Sequence, residues 1–204
     1  MPHKFDPKNL DRLDRQDRRQ LIDVEAVFSQ LPLTTGQSVA DIGCGTGFFA
    51  IPLSRHVPEG KVYALDIADE MLSRLRQKVA ENGAANIEVL KCSEMDFPLP
   101  KGAMDGILLA FVLHEQEDRV RFLEKVHELL KPGAWVGIIE WEKKATKMGP
   151  PVAERIDRSE VKDAASKAGL DFLLATQSGE TNYVAVLKRP DSRKERDTTT
   201  EAVS

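Results

Sequence analysis

The chain has 204 residues, 41% of them hydrophobic, which predicts one domain with a single sizeable core and short extensions. Its 29 basic and 33 acidic residues give a net charge of −4, so no overall positive field favours nucleic acid or an anionic membrane surface. The longest apolar run, 107–113, is far below the roughly 18 residues that span a bilayer, and the N-terminus lacks a signal-peptide core, so we expect a cytoplasmic protein without membrane insertion.

The first predicted elements precede a cluster of glycines. Residues 1–19 are polar, with charges of alternating sign, and we expect a flexible segment outside the main domain. Apolar residues then recur at spacings of three and four, which predicts a helix docked on a sheet. These residues are Leu21, Val24, Phe28 and Leu31.

The glycine cluster follows a short apolar strand. It reads Asp41-x-Gly43-x-Gly45-x-Gly47 and leads into a helix near Phe48. Three glycines in five residues allow positive φ and leave no Cβ atoms, so a ligand can lie against the backbone; an ordinary strand-to-helix turn is the alternative. The dinucleotide fingerprint requires a glycine where Phe48 stands, and the phosphate-binding loop requires a lysine that is missing, so neither motif fits.

This spacing resembles the first motif of class I S-adenosylmethionine (SAM) methyltransferases. The resemblance implies a SAM site that includes Asp41, Gly43, Cys44, Gly45 and Gly47. It also implies that residues 1–19 act as a lid, whereas their composition indicates only a solvated segment. Cys44 and Cys92 are the only cysteines, too few for a zinc cluster or a disulfide framework, and we expect no bound metal.

The second predicted strand, Lys61–Asp66, ends on an acidic residue. A carboxylate at this place can accept both hydroxyls of a ribose, a device that nicotinamide and SAM enzymes share. Ile67 would then lie against the adenine ring. Met71 belongs to the inward stripe of the next helix and is a candidate cofactor contact, and Gly83 ends that helix.

The third predicted strand, Asn86–Lys91, is followed by a Ser-Glu-Met-Asp-Phe-Pro-Leu-Pro segment. The segment is similar to one in quinone-biosynthesis methyltransferases, where an Asp or Asn meets the adenine amino group. The resemblance implies that Ser93 makes this contact and that Glu94 supplies a backbone amide. A hydroxyl accepts that hydrogen bond less strongly than a carboxylate, unless Glu94 replaces it.

The fourth predicted strand, Asp105–His114, resembles the motif that ends over the transferred methyl group in this family. The resemblance implies that Ala110 offers its carbonyl to the methionine amino group. Ligands of open α/β sheets lie beyond the carboxyl ends of the strands, so His114 is a candidate catalytic base for an acceptor hydroxyl, thiol or amine. Glu115 could orient it if the chain has left the strand by then; a packed or surface imidazole is the alternative.

The closing third predicts the antiparallel end of a sheet. Its predicted elements are a helix with Leu123, Val126 and Leu130 facing inward, a strand Ala134–Glu140, a helix Ser159–Lys167 and strands Asp171–Ala175 and Tyr183–Lys188. Residues 141–151 are either a flap over the acceptor or a solvated connection, and residues 189–204 are expected to form a disordered tail. Residues 20–188 are therefore predicted to form a three-layer, doubly wound α/β sheet of seven strands, mostly parallel with a C-terminal antiparallel strand.

Together, the motifs resemble class I SAM methyltransferases of the ubiquinone- and menaquinone-biosynthesis type. The resemblance implies in-line transfer of the SAM methyl group to an acceptor. No Asn-Pro-Pro-Tyr motif follows the fourth strand and no added domain for a protein substrate is evident, so we expect a small-molecule acceptor and no nucleic acid. A homodimer is left open. The alternatives are a catalytically silent SAM-binding sensor or partner subunit and a nicotinamide-dependent oxidoreductase.

Overall fold

The computed structural model describes residues 22–146 and 149–191. The helices of this part of the chain are α1 (Val24–Phe28), α2 (Ala50–His56), α3 (Asp69–Asn82), α4 (Arg119–Leu129) and α5 (Arg158–Lys167), with 3₁₀ turns at Leu113–Glu115 and Val152–Glu154. The strands are β1 (Ser38–Ile42), β2 (Lys61–Asp66), β3 (Ile87–Lys91), β4 (Met104–Ala110), β5 (Leu130–Trp141), β6 (Asp171–Ser178) and β7 (Asn182–Lys188). The predicted segment 1–19 and residues 192–204 of the predicted tail lie outside the described residues.

The strands form one seven-stranded sheet in the order β3-β2-β1-β4-β5-β7-β6. Strands β1 to β5 pair in parallel, whereas β7 runs antiparallel to both β5 and β6. The predicted doubly wound α/β fold with a C-terminal antiparallel strand is therefore confirmed. The strand order reverses between β1 and β4, and sheets of this kind bind ligands beyond the carboxyl ends of the strands at that point.

Apolar side chains fill both faces of the sheet. In β4, Ile107 and Leu109 belong to a buried cluster with side chains of α4 and α5, whereas Leu108 belongs to a cluster with side chains of α1, α2 and α3. Successive residues of a strand point to opposite faces, so this division shows helices on both sides of the sheet. Burial on both faces explains why the strand reads as a continuous apolar run.

Helix ends follow the signals in the sequence. Gly83, at a φ of 63°, ends α3 as predicted. Asp157 and Glu160 form a reciprocal capping box at the start of α5. Among residues 22–146 and 149–191, no helix combines the length and apolarity that crossing a membrane requires.

Several predicted boundaries were wrong. Strand β5 begins at Leu130 and not at Ala134, and β6 ends at Ser178 and not at Ala175. Strand β4 ends at Ala110 and not at His114, because the chain turns at Phe111, which has a φ of 62°. Helix α4 ends at Leu129, and Leu130 already pairs with Met104 as the first residue of β5. The earlier end of β4 changes the environment expected for His114.

Candidate functional site

The glycine loop joins β1 to α2 and is held on the neighbouring strand by backbone hydrogen bonds. The amides of Gly43 and Cys44 both donate to the carbonyl of Leu65, at 2.8 and 2.9 Å. Gly43, Gly45 and Gly47 have φ angles of 76°, 53° and 85°, in the region where an L side chain is strained. The conformation of the loop therefore requires glycine whether or not a ligand is near.

Side chains of the protein fill the space beside two of these glycines. A Cβ atom added at Gly43 would lie 2.4 Å from Cγ2 of Val112, and one added at Gly47 would lie 2.3 Å from Cδ1 of Leu75. The absence of a side chain at Gly43 and Gly47 thus serves packing within the protein, and their contacts with a ligand stay predictions. At Gly45, we still predict that the missing Cβ atom lets a ligand lie close to the backbone.

Asp66 ties the end of β2 to the glycine loop. Its Oδ2 accepts a hydrogen bond from the amide of Gly45 at 2.8 Å, and its Oδ1 accepts one from the amide of Ala68 at 2.9 Å. Burial raises the pKa of Asp66 above its ordinary value, and hydrogen bonds from the backbone offset this only in part. Because an ionised carboxylate offers about four lone-pair positions, acceptor capacity is left for ribose hydroxyls.

The surroundings of Asp66 suit a nucleoside. Ile67, the next residue, is 48% exposed, although most large hydrophobic side chains of the described residues are buried. An exposed isoleucine beside a carboxylate offers an apolar surface to a base and a hydrogen-bond acceptor to its ribose. The residues present therefore fit the adenosine part of SAM.

The other predicted cofactor residues lie on or near neighbouring strands. Ser93 and Glu94 follow β3 with exposed side chains, and Met71 in α3 is buried. Asp41 in β1 is 1% exposed, and Ala110, the last residue of β4, is 8% exposed. Because β3, β2, β1 and β4 are consecutive in the sheet, the residues that end or follow these strands share one edge; their contacts with a cofactor stay predictions.

The two thiols near this edge are buried. Burial raises the pKa of Cys44 well above its ordinary value, and the charges of Asp41 and Asp66 add to the effect. Burial and the charges of Asp66 and Asp96 raise the pKa of Cys92 to about 12. Cysteines with such pKa values stay protonated and inert, which fits a packing role for both. In the described part of the chain, no group of three or more His, Cys, Asp or Glu side chains is placed to hold a metal ion.

His114 lies in the 3₁₀ turn after β4 and contacts a carboxylate of β5. Its Nδ1 is 2.8 Å from Oε2 and 3.1 Å from Oε1 of Glu140, and its backbone amide donates to Oε1 at 3.0 Å. The side chains of His114 and Glu140 are 6% and 0% exposed. The carboxylate that binds the His114 ring is therefore Glu140, and the expectation that Glu115 orients it is corrected.

Strand register explains this pairing. Ala110 of β4 lies opposite Ile139 of β5, so Glu140 stands just beyond the end of β4, where the turn returns His114. Glu140 is not among the site residues predicted from the sequence. The sequence does contain a signal for a role of Glu140. It is an acidic residue at the end of an apolar strand, and a carboxylate there is costly to bury unless a partner binds it.

The pKa of His114 reflects this partner. Burial by itself lowers the pKa, but the hydrogen bond and charge of Glu140 and the charge of Glu115 outweigh burial and the opposing charge of Arg119. The pKa of His114 therefore lies above its ordinary value of 6.5. An imidazole with a raised pKa is a stronger base than a free imidazole.

An aromatic cluster lies at the same strand ends. Trp141 follows Glu140 in β5, and adjacent strand residues point to opposite faces of a sheet. The centroid of the Phe111 ring is 4.8 Å from that of Trp141 and 6.5 Å from that of Phe49. Phe111 also has the φ of 62° noted above, which is rare for an aromatic residue, and backbone strain of this kind clusters at functional sites.

Arg155 organises the connection after β5. Its buried guanidinium donates to the carbonyls of Glu142, Lys144 and Pro150 at 3.0, 2.7 and 2.9 Å, and it lies 5.6 Å from the Trp141 ring. The described parts of this connection are thus folded around a cation beside the aromatic cluster. Both roles expected for the connection, flap and solvated link, stay predictions.

Comparisons with known proteins agree with this geometry. A family model described as a methyltransferase domain matches residues 39–133. A solved SAM-dependent methyltransferase from Aquifex aeolicus is 36% identical, with a TM-score of 0.87 over 91% of this chain and 100% of that chain. Demethylmenaquinone methyltransferases of Geobacillus kaustophilus and Lactococcus lactis are 33% and 37% identical over 60% and 52% of this chain, which is 53% and 42% of those proteins. The chain thus spans about half the length of the curated relatives it matches.

Proposed function

Because the chain belongs to the SAM-dependent methyltransferases, we propose that it transfers a methyl group in-line from SAM to a small-molecule acceptor. The observation that carries the proposal is the hydrogen bond from the amide of Gly45 to Asp66. It joins a glycine loop to a ribose acceptor at the carboxyl edge of the sheet, where ligands of this fold bind.

In the proposed complex, Asp66 accepts the ribose hydroxyls, Ile67 covers the adenine and Gly45 leaves room beside the backbone. The further proposed cofactor contacts are those of Asp41, Gly43, Cys44, Gly47, Met71, Ser93, Glu94 and Ala110. When bound, SAM supplies a methyl group already activated on a sulfonium. The protein's main contribution is then to hold the acceptor in a near-attack geometry and to exclude water.

The proposed acceptor site lies beyond β4 and β5. The Phe111 and Trp141 rings support a flat, apolar acceptor, because aromatic faces pack well on planar rings. The Geobacillus and Lactococcus relatives are named demethylmenaquinone methyltransferases, so a quinone-type ring is the first acceptor to test. His114 is the proposed catalytic base.

The cysteines and the net charge bear on the compartment and the partners of the chain. Cys44 and Cys92 are free thiols, which supports a reducing compartment, and we propose the cytoplasm. The net charge of −4 supports a small-molecule partner over nucleic acid. A homodimer stays open.

Methyl transfer is tested with purified chain, SAM labelled in its methyl group and a panel of small acceptors, quinone-type rings included. We expect label in at least one acceptor, with S-adenosylhomocysteine as the second product. The matched control replaces SAM by S-adenosylhomocysteine and must give no methylated product. Tight SAM binding with no transfer to any acceptor would contradict the enzyme and favour a silent SAM-binding protein.

A further inference from the structure

We propose that Glu140 is a positioning residue that holds His114 as the general base of methyl transfer, and that the acceptor is one whose methylation releases a proton. The inference rests on the function proposed above and deepens it. It assigns a role to a residue of β5, and it restricts the acceptor to hydroxyls, thiols, N–H groups and rings activated by them. Tertiary amines and thioethers, which carry no such proton, are excluded.

Glu140 holds His114 at two points, the backbone and the ring. Oε1 accepts from the backbone amide of His114 at 3.0 Å, and Oε2 lies 2.8 Å from Nδ1 of its ring. The backbone amide of Trp141 also donates to Oε2, at 3.3 Å. These contacts fix both the turn that carries the imidazole and the rotation of the ring.

The hydrogen-bond network assigns the tautomer of the neutral ring. A carboxylate only accepts, so Nδ1 of His114 carries the proton that it donates to Glu140. The lone pair is then on Nε2, which is the atom left to take a proton from an acceptor. The same division of labour between carboxylate and imidazole operates in serine hydrolases, where the carboxylate fixes the tautomer and stabilises the imidazolium.

A glutamine at position 140 separates the holding of the turn from the holding of the ring. Its single carbonyl oxygen could still accept from the amide of His114 without the cost of burying a charge, but its NH₂ group would replace Oε2, which now faces Nδ1 and the amide of Trp141. With its oxygen on the amide of His114, its NH₂ group would face Nδ1. That arrangement would move the ring proton to Nε2 and remove the lone pair that a base needs.

Other ionisable groups near the pair do not replace Glu140. Glu115 from the same turn raises the pKa of His114 and Arg119 of α4 lowers it, both by charge alone. Tyr183 of β7 lies opposite Glu140, but its hydroxyl donates to the carbonyl of Ile156 at 3.0 Å. Burial also raises the pKa of Tyr183, so it stays neutral.

The proposed step balances in atoms and charge. As the acceptor atom bonds to the methyl carbon, the methyl–sulfur bond breaks and its electron pair stays on sulfur. The acceptor proton passes to Nε2 of His114. The positive charge thus moves from the sulfonium to the imidazolium, where Glu140 stabilises it, and this stabilisation is gained only as the reaction proceeds.

The first test is independent of turnover and uses ¹⁵N-edited NMR of the imidazoles in the cofactor-free chain, which has four histidines. Wild type should show the Nδ1-protonated tautomer at His114 and a pKa above the ordinary value. Glu140→Gln should show the Nε2-protonated tautomer and a lower pKa. Glu115→Gln is the matched control, because it removes the neighbouring charge and leaves the contact between His114 and Glu140 in place. It should keep the wild-type tautomer of His114.

The second test measures kcat against pH with the best proton-bearing acceptor from the labelled panel. Glu140→Gln should lower kcat by about 10²–10⁴, the range for a misplaced general base, and move its acidic limb to lower pH, while SAM affinity is kept. Glu140→Asp should restore part of kcat and of the wild-type tautomer. A tertiary amine or thioether acceptor should not be methylated at a comparable rate by wild type.

Two results would overturn the inference. The first is a Glu140→Gln chain with the wild-type tautomer and an unshifted pH limb, even if kcat or thermal stability falls, because Glu140 would then be structural only. The second is a proton-free acceptor that turns over as well as any other. If no acceptor is found at all, the proposed function fails, while the tautomer of Glu140→Gln still decides whether Glu140 positions His114.

Discussion

Both ends of the proposed site hold a buried carboxylate through backbone amides, and only the acceptor end adds a side-chain partner. At the cofactor end, beyond β1 and β2, backbone amides of Gly45 and Ala68 hold Asp66. At the acceptor end, beyond β4 and β5, the ring of His114 meets the side chain of Glu140. Backbone amides are available in any sequence, whereas a side-chain pair depends on two particular residues.

Both ends contain a buried group whose pKa is raised, but the causes differ. At Asp66 burial dominates and backbone hydrogen bonds offset it only in part. At His114 burial acts in the opposite direction and is outweighed by Glu140. A poorly solvated carboxylate gains from ribose hydroxyls that bind it, whereas an imidazole beside a buried carboxylate gains base strength. The two ends should therefore fail separately when they are mutated.

The largest expected effect is at the cofactor end. Gly45→Val should abolish SAM binding in calorimetry, because valine at a φ of 53° is strained and its side chain would occupy the space proposed for the ligand. Far-ultraviolet circular dichroism should stay close to wild type. Gly36→Ala is the control, since an added Cβ there meets no atom within 4 Å. Wild-type SAM affinity in Gly45→Val would place the ligand elsewhere.

The next effect should appear only at the acceptor end. His114→Ala should lower kcat by about 10²–10⁴, the contribution expected of a positioned base, with SAM affinity near wild type. His127→Ala, a half-buried histidine of α4, is the control and should keep its turnover. Undiminished turnover in His114→Ala would make that imidazole structural. A parallel loss of SAM affinity would mean that His114 belongs to the cofactor end.

A smaller effect is expected for the ribose acceptor. Asp66→Ala should weaken the binding free energies of SAM and S-adenosylhomocysteine by about 1–3 kcal/mol each, the usual cost of losing a charged hydrogen-bond acceptor. The control is Asp69→Asn, which neutralises an exposed carboxylate three residues away. Equal affinities in Asp66→Ala and wild type would mean that the ribose lies elsewhere.

The smallest effect is a dependence of stability on pH. The folded chain holds the proton of His114 more tightly than the unfolded chain, because the folded pKa lies above the ordinary 6.5. The resulting stabilisation is fully present below pH 6.5 and is lost as pH rises through the folded pKa. In urea unfolding, the free energy of unfolding of wild type should therefore exceed that of His114→Asn by more at pH 5.5 than at pH 8.5. An equal or reversed difference would contradict the direction of the pKa shift.

The same division between the ends explains what the sequence could predict. Most strands, the end of α3 and the glycine loop follow from local signals, such as the spacing of the glycines and the acid that ends β2, whereas the cofactor contacts of these residues stay predictions. The pairing of His114 with Glu140 depends on a turn and on a strand register that join residues 26 positions apart. The positive φ of Phe111 also runs against the preference of its residue type, so no local rule predicts it.

The packing of the glycine loop against other side chains could not be predicted from the sequence either. The side chains that an added Cβ at Gly43 or Gly47 would meet first are those of Val112 and Leu75, which lie far away in sequence. The glycine spacing alone therefore could not separate space kept for a ligand from space filled by the protein.

Calorimetric titration of the wild-type chain with SAM, S-adenosylhomocysteine and NAD tests the central claim most directly. Both sulfur nucleosides should bind at one site per chain, and NAD should give no binding heat. Binding of NAD alone, or no binding of SAM, would contradict the claim that the glycine loop and Asp66 form a SAM site.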